Sequence, residues 1–232
     1  MSITTPRKLA KESVSSASSV EALPLITFAV LAYNQEDMVR EAVHGAFAQT
    51  YSPLEILLSD DCSSDGTFRI MQRMADAYSG PHEVVLNRNP QNLGLGAHVN
   101  RVMEIATGQL VVGAGGDDIS LPERTQLTFE AWQRNPDAMY LYTRCEGFGD
   151  NREREYRFKL RKDLHEVEAM IPVGGAKNPG CSEAWSKVLF DVFGPLPPDV
   201  YGEDRALAFR AALLGRIEYV DARCVMYRCH AE

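Results

Sequence analysis

The chain lacks most of the features that would place it quickly. No apolar run approaches the roughly 20 residues that cross a bilayer. The nearest stretch, Leu23 to Ala32, is short and carries Pro24 and Thr27, so neither a membrane span nor a signal peptide is expected. The five cysteines, Cys62, Cys145, Cys181, Cys224 and Cys229, show no CxxC spacing for zinc, and an odd number cannot all pair within the chain. Reduced thiols in the cytoplasm are the expectation. Basic charge is scarce as well: Lys and Arg number 24 against 32 Asp and Glu, a net charge of −8, which argues against nucleic acid as a partner. The one basic cluster, Arg152, Arg154, Arg157, Lys159, Arg161 and Lys162, is interleaved with Glu153 and Glu155 and reads as a solvated face, or else as a contact for an anionic acceptor or a lipid surface. After a Ser-rich opening there is neither a linker nor an internal repeat. The prediction is a flexible tail over 1–22 and a single domain over 23–232.

What the chain does contain is alternation. Ile26 to Leu31 reads as a buried strand, and Asp37 to Ala48 then places Val39, Ala42, Val43, Ala46 and Phe47 at helical spacing, with Asn34 upstream as a cap. Leu54 to Ser59 is a second strand. Ser63-Ser64-Asp65 starts a helix carrying Ile70, Met71, Met74, Ala75 and Tyr78 on one face. His82 to Leu86, a helix through Val99, Val102, Met103 and Ala106, and a strand Leu110 to Val112 continue the cycle. Such alternation implies a largely parallel sheet with helices on both faces. Ser120-Leu121-Pro122-Glu123 has the form of a capping box opening a helix to about Arg134, followed by a strand at Tyr140 to Tyr142. Farther on, the pattern predicts a helix around Trp185 to Phe193, another from Glu203 to Leu214, and two short strands, Ile217 to Val220 and Cys224 to Tyr227.

Three carboxylate pairs stand out against this frame. Asp60-Asp61 and Asp117-Asp118 each follow an apolar strand, and Glu203-Asp204 opens a late helix. Adjacent acids beside an apolar run are costly unless a cation or hydrogen bonds satisfy them, and ligands of parallel sheets sit beyond the carboxyl ends of the strands. The bland readings are turn chemistry for Asp60-Asp61 and helix-dipole complementation for Glu203-Asp204.

The strings Ala29-Val30-Leu31-Ala32-Tyr33-Asn34-Gln35, Gln49-Thr50-Tyr51 and Ser59-Asp60-Asp61-Cys62-Ser63-Ser64-Asp65-Gly66-Thr67 resemble the opening of family 2 glycosyltransferases of the GT-A fold. Asn92-Leu93-Gly94 through Asn100, Ala106-Thr107-Gly108-Gln109, Asp117-Asp118, Phe193-Gly194-Pro195-Leu196, Gly202-Glu203-Asp204 and Tyr227-Arg228-Cys229-His230 follow in the family's order. The resemblance implies an α/β GT-A domain, a Rossmann-like, mostly parallel sheet with a smaller mixed region: a nucleotide-binding half over 23–120 and an acceptor-side half over 121–232. It implies an inverting, metal-dependent enzyme that moves a sugar from a nucleotide-sugar donor to a saccharide or lipid-linked saccharide acceptor in cell-surface polysaccharide or glycolipid synthesis, in the cytoplasm or at the inner face of the membrane.

Residue by residue, the resemblance assigns Asp204, with Glu203, as general base, and Asp118, Asp117 and His230 to Mn or Mg. Donor binding falls to Leu31, Tyr33, Asn34, Asp60, Asp61, Asn100, Asp117, Asp118 and Gly180. A carboxylate at Asp61 suits an N–H of uracil or thymine, favouring UDP- or dTDP-sugars. Arg124 and Arg228 are candidates to neutralise phosphate, and Trp185 and Tyr201 to stack on a sugar. The chain departs from the family's Asp-x-Asp pattern at Gly115 and Gly116. That departure keeps a non-catalytic nucleotide-sugar-binding relative as the alternative. A receiver-like protein or a nucleotidyltransferase fits less well, since the chain has no lysine after Lys187 and no glycine-rich basic loop after its first strand.

Overall fold

Strands that are mostly apolar and buried along their whole length need cover on both faces, and that requirement organises the molecule. The computed structural model describes residues 22–149, 180–197, 199–200 and 202–229. All seven residues of β1 (Ile26–Ala32) and of β2 (Leu54–Asp60) are buried. Successive side chains of a strand point to opposite faces. Phe28 and Val30 therefore pack with α1 (Val39–Phe47), α2 (Thr67–Asp76) and Phe129 of α4 (Arg124–Arg134). Ala29 and Leu31 pack on the other side with α3 (Leu95–Ile105), α5 (Lys187–Phe193) and α6 (Glu203–Ala212).

β3 (Glu83–Arg88), β2, β1 and β4 (Leu110–Gly115) lie side by side and parallel, as the alternation predicts. The sheet then turns mixed: β7 (Glu183–Ser186) is antiparallel to both β4 and β6 (Tyr140–Gly149), and β8 (Ile217–Cys229) runs parallel to β6 and antiparallel to β5 (Ile119–Ser120). Among the described residues the order is β3-β2-β1-β4-β7-β6-β8-β5. Register pairs Ala32 with Asp60 and Leu31 with Gly115, so three strands reach one edge together. The antiparallel β7 begins at that same edge.

Several local expectations fail for identifiable reasons. Trp185 lies in β7, and the helix starts only at Lys187, because Ser186 accepts the Val188 N–H and caps it. Ser120 belongs to β5 and accepts a hydrogen bond from Arg124, so no capping box forms. Asn34 caps nothing; its φ is +52°, and its N–H and side chain bond the Ser63-Ser64 turn. The two short C-terminal strands are one, with an irregularity in its pairing to β6 around Thr143 to Cys145.

A buried carboxylate fastens the opposite end of the parallel block. Glu55 accepts from Thr27 Oγ1 at 2.5 Å, from the Thr107 N–H at 2.9 Å and from Thr107 Oγ1 at 2.7 Å. Glu55→Leu strands these donors and is expected to cost about 1.5–3 kcal/mol. Urea unfolding checks it: the midpoint falls while the slope holds.

Candidate active site

At the end of β2 the two aspartates part. Asp60 is fully buried, accepts the Ser63 N–H at 3.0 Å and pairs with Arg88 at 3.4 Å, so it shapes the turn and does not line the cavity described below. Asp61 faces the cavity. Its Oδ1 accepts from Asn89 Nδ2 (2.8 Å) and the Leu93 N–H (3.0 Å), and its Oδ2 from the Gly94 N–H (3.0 Å). One carboxylate thus pins the Asn92-Leu93-Gly94 loop that leads into α3. Beside it, His98 is buried at 2.7 Å from Ser59 Oγ; burial pushes its pKa down against the pull of Asp61 and Asp60.

β4 ends in glycines, and space is the reason. A Cβ at Gly115 would stand 2.8 Å from Asp117 Oδ1 and 3.1 Å from Asp118 Oδ2, and one at Gly116 would meet Gln35 at 2.4 Å and Ala32 at 2.7 Å. Asp118 is 5% exposed, and its Oδ1 accepts the Arg228 N–H at 2.8 Å. Burial first, then Asp117, push its pKa up to about 6, although Arg228, Cys181 and Arg124 pull the other way. The Arg228 guanidinium donates to the Asp117 carbonyl at 2.8 Å, pairs with Glu41 of α1 and covers the Phe148 ring. The last strand therefore holds the acidic pair in place.

Neither arginine considered for phosphate is placed to serve it. Arg228 is committed to Asp117 and Glu41, and Arg124 is fully buried, donating to Ser120 Oγ, the Gly113 carbonyl and the Glu183 carbonyl. Asn100 is also engaged elsewhere, exchanging two hydrogen bonds with the Leu196 backbone.

Gly202, in the left-handed region at φ +84°, turns the chain into α6, whose first residues are Glu203 and Asp204. Burial raises the pKa of both carboxyls, even though the Arg205 N–H donates to Asp204 at 2.7 Å. Gly180 opens a short 3₁₀ turn before β7, and a Cβ on it would lie 3.6 Å from both Asp204 and Glu203.

These elements enclose one cavity of about 800 Å³ at the shared strand edge. Of the candidate residues, Leu31, Tyr33, Asp61, Asp117, Asp118, Gly180, Glu203 and Asp204 line it. Asn34, Asp60 and Asn100 do not. His230, Tyr201 and the basic cluster of 152–162 lie outside the described residues. Sequence reasoning missed Gln35, His98, Glu183, Arg205 and Tyr227 as lining residues. Of these, Gln35, His98, Arg205 and Tyr227 adjoin or fall within recognised strings, whereas Glu183 sits in an unremarkable apolar stretch and gave no signal.

An α/β sheet of this order, with acidic pairs gathered at the edge where its parallel strands end, defines a GT-A glycosyltransferase fold. S. aureus TarS 1-349, solved in complex with UDP-GlcNAc, matches at a TM-score of 0.69 and 17% identity, over 89% of this chain and 59% of that one. The mannosyltransferase PcManGT of Pyrobaculum calidifontis, solved with GDP-Man and Mn2+, matches at 0.69 and 21%, over 88% of this chain and 57% of that one. The family is fixed by sequence: the profile of glycosyl transferase family 2 matches residues 27–187, and the chain belongs to that family. The succinoglycan biosynthesis protein ExoO of Rhizobium meliloti is 30% identical over 115 residues, 48% of this chain and 31% of that protein. The chain spans less than two thirds of the length of these relatives.

Proposed function

We propose that this glycosyltransferase moves a sugar, with inversion, from a nucleotide-sugar donor to a hydroxyl of a saccharide or lipid-linked saccharide acceptor in cell-surface polysaccharide or glycolipid synthesis. One observation carries the reading: Asp61, Asp117 with Asp118, and Glu203 with Asp204, far apart in sequence, line a single cavity. Residues 23–120 supply its nucleotide side and 121–232 its acceptor side. The succinoglycan role in the name of ExoO supports a polysaccharide product. No helix among the described residues is long and apolar enough to cross a membrane, and the proposed place of action is the cytoplasm, on acceptors presented at the inner membrane face.

Each pair has its own task. Asp61 Oδ2 accepts one hydrogen bond from Gly94 and keeps capacity for a base N–H, which favours uracil or thymine. Asp117 and Asp118 are hard oxygen donors, and a cation between them would relieve the burial and repulsion that raise the Asp118 pKa, so that set fits Mg or Mn. Among the described residues no cluster of three His, Cys, Asp or Glu is arranged to hold a metal ion, so the donor's diphosphate would complete the coordination. When bound, the ion offsets the charge growing on the departing diphosphate. Asp204, with Glu203 beside it, takes the acceptor's proton on the opposite face, because a hydroxyl is a poor nucleophile, and burial raises the proton affinity of Asp204.

A thermal-shift panel of UDP, dTDP and GDP, with and without Mn2+, tests the reading. At about 100 times Kd the matching nucleotide stabilises by roughly 2.7 kcal/mol, a shift of about 5–10 °C that requires the metal. Silence across the whole panel would overturn it. Binding without turnover against any acceptor would instead favour the non-catalytic relative, the reading that Gly115 and Gly116 keep alive.

A further inference from the structure

Two thiols meet beside Asp118, and no step of the proposed transfer uses them. Cys145 Sγ of β6 and Cys181 Sγ of the 3₁₀ turn Gly180–Ser182 stand 3.8 Å apart, and both cysteines are free. Sulfurs in a disulfide are about 2.05 Å apart, and for thiols already in contact, side-chain rotation covers that difference. The backbone of β6 is irregular at this point. Its pairing with β8 shifts register between Thr143 and Cys145, and such irregularities re-aim side chains beside active sites. Thiol chemistry runs through the thiolate, which a nearby cation favours, and the fully buried Arg124 guanidinium acts on both sulfurs. The Cys181 hydrogen bond holds the Cys145 pKa below the ordinary thiol value; burial opposes it, and Arg124 lowers it further.

A bond between these sulfurs would reach the cavity. Cys181 lines it and Cys145 does not. Cys181 has one S–H, and both Asp118 and the Cys145 sulfur compete for it. Its neighbour Gly180 lies against the base pair, where a Cβ would stand 3.6 Å from Asp204 and Glu203. Joining Cys181 to Cys145 therefore removes a donor from Asp118 and moves the turn that touches the residues assigned to the acceptor's proton. Hydrogen peroxide is an oxidant that can make the bond. The Cys145 thiolate attacks the O–O bond and becomes a sulfenic acid, and the hydroxide released picks up a proton to leave as water. The Cys181 sulfur then attacks the Cys145 sulfur, the S–O bond breaks, and a second water leaves with the Cys181 proton. Two thiols give up two electrons and one peroxide becomes two waters, and dithiothreitol reverses the product by exchange.

We propose that Cys145 and Cys181 form a reversible modification site for peroxide, and that their disulfide weakens donor binding in the cavity. The effect on binding rests on the proposed donor reading; the disulfide itself does not. To test both, the full chain is treated with hydrogen peroxide, desalted, alkylated with N-ethylmaleimide and mapped by digestion without reductant, and UDP with Mn2+ is titrated into the reduced and oxidised forms. The map should show the Cys145 and Cys181 peptides joined, and dithiothreitol should part them. The oxidised form is expected to bind UDP about tenfold more weakly. Coupling of this kind is reciprocal, so saturating UDP with Mn2+ should make the disulfide about tenfold easier to reduce, raising its potential by about 30 mV. Cys145→Ser lies off the cavity and should bind UDP as reduced wild type does, before and after peroxide, whereas Cys224→Ser should respond to peroxide as wild type does. A map without the Cys145–Cys181 link would overturn the proposal, as would a link that leaves UDP affinity unchanged, or a loss of affinity in peroxide-treated Cys145→Ser. If Cys145→Ser misfolds, the wild-type map and its reversal by dithiothreitol still decide. If reduced wild type does not bind UDP with Mn2+, the donor reading fails, and the map alone decides for or against the disulfide.

Discussion

Asp204→Asn is expected to lower sugar transfer by roughly 10²–10⁴-fold, the usual contribution of a positioned general base, while leaving donor affinity near that of wild type. The change is isosteric and keeps the oxygen that accepts the Arg205 N–H, so the start of α6 should survive. Slow transfer of the donor's sugar to water gives a readout that needs no acceptor. Because burial raises the Asp204 pKa, the acidic limb of the wild-type rate profile should lie above the ordinary carboxylate range, with activity lost as pH falls through it. Undiminished turnover in the variant would remove Asp204 from the mechanism and leave its position as helix-dipole complementation.

Asp118→Asn should have two opposite effects. The folded protein raises the Asp118 pKa from 3.8 to about 6, so the fold favours the protonated carboxyl. Its contribution to stability is therefore complete below the unfolded value and is lost as pH rises through about 6. At pH 7 the ionised group works against the fold by about 3 kcal/mol, and Asn removes that cost while its Oδ1 still accepts the Arg228 N–H. The unliganded variant should melt roughly 5–10 °C higher than wild type. It should also lose the stabilisation that nucleotide and Mn2+ give together, since half of the acidic pair is gone. Melting curves from pH 4 to 8, with and without UDP and Mn2+, separate the two effects. A variant that melts lower at neutral pH and still answers to Mn2+ would contradict both.

Much of this was legible in the chain because it depends on local pattern. The strands of the parallel block are built around apolar runs, the helices between them carry spaced apolar faces, and the acidic pairs fall where such strands must end. What was not legible depends on distant partners. Ser120 looks like a cap until Arg124, buried under the site, takes its hydroxyl. Asp60 and Asp61 are indistinguishable as letters, and only the pairing of β2 with β3 shows that one faces Arg88 and the other the cavity. Trp185 reads as helical until β4 and β6 claim its backbone from both sides. Glu183 was missed for the same reason: its place in the cavity lining comes from which face of β7 it occupies, and that face is chosen by strands distant in sequence.

The antiparallel seating of β7 between β4 and β6 bears on how the molecule is made. β4 ends at Gly115, but the strand that covers its outer edge begins only at Glu183. At roughly 5–20 residues per second, a ribosome leaves that apolar edge bare for several seconds after the first half of the sheet has emerged. An uncovered edge strand is a template for pairing with another chain. Nascent copies on a shared message should therefore be most prone to stick together in this interval, and slower decoding between these two strands should increase aggregation without altering the finished enzyme.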